Sequence, residues 1–171
     1  MIIETKRTLL LPATERLIKS ELSSLEEFKE ELNAFVPNNW PPEQLKDVRE
    51  YFLETIVEEP LNTDWLYRYC VIKQNGEEKP ALAGSIGFFS MPGENGAVET
   101  GYSVLPQYEN KGYATEMLEG VINWSRKNGA LKITAHTDSD NIASQKVLRK
   151  NGFVKSDTPE DDGRLLFILN W

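Results

Sequence analysis

Residues 98–153, VETGYSVLPQYENKGYATEMLEGVINWSRKNGALKITAHTDSDNIASQKVLRKNGF, hold the pattern that decides the fold. Val98, Thr100, Tyr102 and Val104 alternate with Glu99, Gly101 and Ser103, the two-residue period of a strand with two unlike faces. Pro106 has no amide hydrogen and closes that strand. From Ala114 the apolar spacing lengthens to three and four through Met117, Leu118, Val121 and Ile122, which predicts a helix ending near Asn128-Gly129. A second strand over 131–136, a second helix from about 141 and the stop at Gly152 complete a β-α-β-α unit.

The link Gln107-Tyr108-Glu109-Asn110-Lys111-Gly112-Tyr113 thus stands at a helix N-terminus, where the first amides lack carbonyl partners and the helix dipole attracts an anion. Gly112 admits a ligand close to the backbone, and Asn110 tolerates a left-handed conformation. Lys111 offers a charge. Asp138 or Asp140 is the expected cap of the second helix, with Asn141, Ser144 and Leu148 on one line at spacings of three and four.

The segment 104–116 (VLPQYENKGYATE), followed by Asn141-Ile142-Ala143-Ser144 and Val147-Leu148-Arg149-Lys150-Asn151-Gly152-Phe153, resembles the GNAT N-acetyltransferase superfamily. The likeness is nearest to the branch that acetylates ribosomal-protein N-termini, whose first strand is similar to residues 4–12 here. It implies acetyl-CoA as cosubstrate, without a metal, and a fold in which a mixed, mostly antiparallel α/β (α+β) sheet carries helices on both faces. It also implies that Val104, Glu109, Asn110, Lys111, Gly112, Tyr113, Ala114, Thr115 and Asn141 bind the cofactor. Two departures stand out. Glu109 occupies the place of the family's usual Gln or Arg, so its carboxylate is expected to turn to water and leave only its backbone at the diphosphate. No tyrosine follows Tyr113, although many relatives use a later one as the acid toward the departing thiolate.

Before this unit, residues 6–11 read as a strand and Thr14 as the cap of a helix whose spacing continues through Leu25, Phe28 and Leu32. Pro42 opens an amphipathic helix carrying Leu45, Val48, Phe52 and Ile56. Strands follow over 65–72 and 82–89, with a turn at Asn75-Gly76, and residues 165–169 form a last strand paired with 153–155. The acidic loop 156–163 between them is expected to be mobile. The resemblance makes Phe35, Trp40 and Trp65 candidates for lining the acceptor pocket; large aromatics also serve as core.

At 171 residues and 40% hydrophobic, the chain is long enough for one packed domain, 1–171, and short for two. One cysteine, Cys70, excludes an internal disulfide, no apolar run approaches a membrane span, and the N-terminus lacks a signal-peptide pattern; the expectation is cytoplasmic. A net charge of −8 argues against nucleic acid or an anionic membrane as partner and favours a cationic one, such as an amine.

Transfer of an acyl group to an amine needs a base for the ammonium, a donor toward the thioester carbonyl, and an acid for the thiolate. Glu99 is the expected base: it lies on the strand face opposite Val98 and Tyr102, and relatives carry a Glu at the matching place. From the family, a backbone amide around Val104 polarises the carbonyl, if that strand splays from the one over 131–137. Ser144 is the expected acid, helped by Asn141. His136, the only histidine, is expected to be structural, since it has no clustered partners in the sequence for a metal site. The leading expectation is an acetyl-CoA-dependent N-acetyltransferase, monomeric or homodimeric, acting on a small-molecule amine or a protein N-terminus by direct attack in a ternary complex. The alternative is a non-catalytic acyl-CoA-binding module of the same fold.

Overall fold

The structure is a computed structural model that describes residues 1–73, 79–158, 160 and 162–171. In chain order its elements are β1 (Ile3–Glu4), β2 (Thr8–Pro12), α1 (Glu15–Ser23), α2 (Leu25–Leu32), α3 (Lys46–Glu58), β3 (Arg68–Ile72), β4 (Ala81–Phe88), β5 (Ala97–Val104), α4 (Tyr113–Lys127), β6 (Lys132–Thr137), α5 (Ile142–Lys150), β7 (Val154–Lys155) and β8 (Leu165–Asn170). These strands form one sheet in the order β1-β2-β3-β4-β5-β6-β8-β7, antiparallel throughout except where β5 runs parallel to β6. The helix between β5 and β6 makes their connection a β-α-β crossover, which a parallel pair requires. This is the mixed sheet expected from the sequence.

Several boundaries differ from expectation for local reasons. The helical run after Thr14 breaks at Ser24, whose extended backbone (φ −159°, ψ 153°) ends α1 while its hydroxyl accepts from Glu27 N to cap α2. Strand β3 begins at Arg68 rather than at Trp65. The cap of α5 is Asn141, which accepts from Ser144 N, rather than Asp138 or Asp140. The Asn75-Gly76 turn lies outside the described residues, as do Pro159 and Asp161 of the acidic loop.

Two apolar clusters lie on opposite faces of the sheet. On one, α1, α2 and α3 cover Tyr67, Tyr69 and Val71 of β3 and its approach; on the other, α4 and α5 cover Cys70, Ile86, Val98 and Ile133. Side chains alternate along each strand, so a single strand feeds both clusters. Beneath α1, the buried Glu21 carboxylate accepts from Trp40 Nε1 and Tyr69 OH, each at 2.6 Å, and pairs with Arg49 at 3.3 Å. Burial pushes its pKa up, against those partners. Trp40 is therefore a buried core residue and not part of an acceptor pocket lining. Trp65 is corrected too: its indole packs on Trp124 of α4 and on Phe88, in the layer opposite α1–α3. Phe35 stays exposed and bridges to Ala81, so the segment after α2 runs beside the start of β4, next to the C-terminal end of β5.

Strands β4 and β5 meet with very little space at that end. Gly84 lies opposite Val104, and a Cβ on Gly84 would stand 2.1 Å from the Ser103 carbonyl oxygen. The oxygen is backbone and a Cβ is fixed directly to Cα, so neither can swing away. Gly84→Ala is accordingly expected to lower stability by about 1–3 kcal/mol or more, read as a lower urea midpoint with an unchanged slope.

Candidate active site

The parallel ladder between β5 and β6 is short. It joins Ala97, Val98 and Glu99 to Lys132, Ile133 and Thr134 and then stops, whereas β4 follows β5 through Val104 and β8 follows β6 through Thr137. The two strands therefore part into a wedge with its vertex at Glu99 and Thr134. Backbone groups alternate direction along a strand. Phe89 N bonds Glu99 O and Leu105 N bonds Ala83 O, so the odd-numbered residues of β5 address β4. The peptide groups of Tyr102 and Val104 thus point into the wedge, beyond the last ladder pair with β6.

At the far end of β5 stands the loop that opens α4. Asn110 (φ 58°) and Gly112 (φ 82°) are both left-handed, the conformation that turns successive amides to one side. Unlike α1, α2 and α5, helix α4 has no side-chain cap at its N-terminus. Glu109 is exposed, as its expected turn toward water requires. The Lys111 ammonium bonds Gln107 O at 2.9 Å, folding back along its own loop. Arg7, before β2, clamps this loop: Nε meets Glu116 Oε2 at 2.6 Å, NH1 donates to Lys111 O at 2.9 Å, and the guanidinium lies over the Tyr113 ring at 4.5 Å. A Cβ on Gly112 would sit 3.3 Å from Arg7 NH2, so that charge stands beside the loop. A reciprocal amide pair, Asn39 with Gln107 at 3.0 and 3.1 Å, ties the segment before α3 to the same loop. Ala114 and Thr115 belong to the first turn of α4, and Thr115 O accepts from Asn151, which follows the last residue of α5.

Across the wedge, Asn141 spends its side-chain oxygen on capping α5. Ser144 Oγ lies 3.0 Å from Tyr102 OH, linking α5 to β5 on the α4 side of the sheet. Burial pushes the Tyr102 phenol up to about 12, so it remains protonated at working pH.

On the opposite face, Glu99 Oε1 lies 2.7 Å from His136 Nδ1, and His136 Nε2 lies 3.6 Å from Glu160 Oε2. Val98 with Ile133 and Ala135 faces α4 and α5, so Glu99 and His136, at the alternate positions, face the α1–α3 side. Cys70 is buried, and that burial pushes its thiol up to about 12, which leaves it a poor nucleophile.

The predicted residues thus fall into three groups around one wedge: the loop 109–115 at one end, Val104 with Ser144 and Asn141 along one face, and Glu99 on the other. Arg7, Tyr102 and His136 were missed as contributors. Arg7 is distant in sequence from the loop it clamps; Tyr102 and His136 sit in alternating strand patterns that core residues share.

Residues 12–154 match the family model described as Acetyltransferase (GNAT) domain. A Bacillus subtilis (strain 168) protein named Uncharacterized N-acetyltransferase YjdG is 29% identical over 159 residues, 90% of each chain. Among solved structures, RimL, the ribosomal L7/L12 alpha-N-protein acetyltransferase in complex with coenzyme A, superposes with a TM-score of 0.66 at 18% identity, covering 99% of this chain and 98% of that one. The ribosomal-protein-S5-alanine acetyltransferase of Vibrio fischeri gives 0.65 at 20%, covering 99% and 96%. Both likenesses are of fold.

Glu116, in the first turn of α4, holds Arg7 and hence the loop. Burial alone would raise its pKa, but bonds from Thr5 Oγ1, Arg7 N and Arg7 Nε hold it below the usual value. A folded-state pKa below the unfolded one makes ionised Glu116 stabilising above the unfolded value, and this contribution is lost as pH falls through the lower, folded value. Glu116→Gln is expected to cost about 1–3 kcal/mol at pH 7. Urea unfolding repeated in acid should find the gap between variant and wild type closing.

Proposed function

Because the chain belongs to the GNAT acetyltransferase family, we propose that it is an acetyl-CoA-dependent N-acetyltransferase in which residues 1–171 act as one acyl-CoA-binding domain and a primary amine attacks directly in a ternary complex. The observation that carries this reading is the wedge between β5 and β6, with a loop of left-handed backbone opening α4 at its end and a carboxylate–imidazole pair on its far face.

The residues present fit the cosubstrate. Left-handed Asn110 and Gly112, the uncapped start of α4 and the Arg7 guanidinium, whose charge is shared with Glu116, together suit a diphosphate held chiefly by backbone amides despite a net charge of −8. Lys111, Tyr113, Ala114 and Thr115 complete the loop and first turn, Glu109 contributes backbone only, and Val104 and Asn141 flank the path of the pantetheine chain. When bound, acetyl-CoA supplies an acetyl group activated as a thioester.

The chain's own residues then divide the work. The peptide N–H groups of Tyr102 and Val104 are directed into the wedge, where donors toward an acyl oxygen are needed. Ser144, hydrogen-bonded to Tyr102 OH, supplies the proton donor on the sulfur side. The pair takes the place of the absent later tyrosine. Glu99 with His136 is the proton-accepting pair on the amine side. The acidic groups there suit a cationic acceptor, either a small-molecule amine or a protein N-terminus.

The test is thiol release from acetyl-CoA with a panel of primary amines, beside calorimetry of cofactor binding. Amine-dependent release is expected. Tight binding with no release would favour a non-catalytic acyl-CoA module, and no binding at all would end both readings. Gly112→Val, which forces a β-branched residue into a left-handed position and crowds Arg7, is expected to weaken acetyl-CoA binding at least about tenfold; unaltered affinity would remove the loop from the site.

A further inference from the structure

We propose that His136 Nε2, and not the Glu99 carboxylate, takes the proton from the incoming amine, and that Glu99 is the positioning residue that holds the imidazole for this task. The proposal rests on the acetyl-transfer reading above.

The contact itself sets the roles. An ionised carboxylate only accepts hydrogen bonds, so at 2.7 Å from Glu99 Oε1 it is Nδ1 that carries a proton. In the neutral ring that leaves a lone pair on Nε2. This is the arrangement by which a carboxylate fixes the tautomer of a histidine base.

Position along the wedge points the same way. Glu99 and Thr134 are the last ladder pair, so His136, two residues farther, stands level with Gly101. At about 3.3 Å per residue, the Tyr102 peptide lies about one step beyond that level and about 10 Å beyond Glu99. Counted along the strands from the last ladder pair, His136 is nearer than Glu99 to the level of the wedge-facing amides. Gly101 presents no side chain on this face, and the Phe89 ring lies over it, 3.2 Å from where a Cβ would be. His136 keeps 17% of its side-chain surface in water, so the ring is not sealed in.

The charged groups near it are Glu99 from β5 and Glu160 and Asp162 from the segment before β8; Arg164, paired with Asp162, also feels the charges of Glu99 and of Asp138 just past β6. Nε2 is 3.6 Å from Glu160 Oε2, beyond a direct hydrogen bond. An ammonium entering here can donate one N–H to that carboxylate and another to Nε2. The transfer then balances. One ammonium proton passes to Nε2 and on to solvent, the freed lone pair forms the C–N bond, the C–S bond breaks with its electrons on sulfur, and a second nitrogen proton ends on the thiol.

The test compares wild type with His136→Gln, and wild type with Glu99→Gln, using CoA affinity to verify that each variant is folded. For His136→Gln, kcat at saturating amine is expected to fall about 10²- to 10⁴-fold, with loss of the acid limb that wild type shows as its base is protonated. The sole histidine also gives one imidazole ¹⁵N pattern, independent of turnover: wild type should carry Nδ1–H when neutral, and Glu99→Gln should shift the population toward Nε2–H. A His136→Gln loss that is uniform across pH, a kcat within twofold of wild type, or a neutral wild-type ring protonated on Nε2 would each overturn the proposal while leaving acetyl transfer intact. Wild type that binds CoA yet acetylates no amine would overturn this proposal and the parent reading together.

Discussion

The function we propose depends on two neighbouring strands that pair for three residues and then separate. A parallel ladder would ordinarily continue, because each added pair satisfies two peptide groups. Here β5 is held to β4 through Val104, β6 is held to β8 over six residue pairs, and the two outer attachments lead them apart. The Tyr102 side chain, bonded to Ser144, spans the gap on the α4 face. The separation leaves peptide groups of β5 without a ladder partner, and such groups are costly unless water or a ligand meets them.

The elements around the wedge hold it open by different means. The α1–α3 layer is anchored by a buried carboxylate, Glu21, which draws α1, α3, Trp40 and β3 together. Removing one partner from such a set leaves another polar group buried and unmet, so the layer is held more firmly than its apolar contacts alone would hold it. On the other side, Arg7 and Glu116 fasten the segment before β2 to the first turn of α4, and through Lys111 O to the loop itself. The loop is thus braced by the protein's own side chains, which would lower the ordering cost of the anion binding we propose.

Local charge matters more here than total charge. A chain with a net charge of −8 repels polyanions at long range, yet Arg7 stands beside the loop that we propose holds a diphosphate, and Glu99 and Glu160 flank His136 on the opposite face, where we propose the amine approaches. Over distances shorter than the screening length of about 8–10 Å in ordinary salt, the near charges dominate.

Periodicity alone made the β-α-β-α unit, the place of the loop that opens α4 and the alternating faces of β5 legible, because burial on one side of a strand or helix must repeat at two or at three and four residues. The left-handed positions at Asn110 and Gly112 were also visible, since few residue types accept that backbone. The family likeness supplied the splay as an expectation, but no spacing in the sequence encodes it: it arises from how far β4 and β8 each follow their neighbours. The same holds for Trp40 and Trp65, whose aromatic rings suit a pocket or a core equally until packing decides. Only tertiary structure brought Arg7 to the loop, Tyr102 to Ser144 and His136 to Glu99, partners separated by 37 to 109 residues. Sequence sets the period and the permitted backbone of each segment; which distant side chains then meet depends on strand register and on the angle at which strands part, quantities that belong to the folded sheet as a whole.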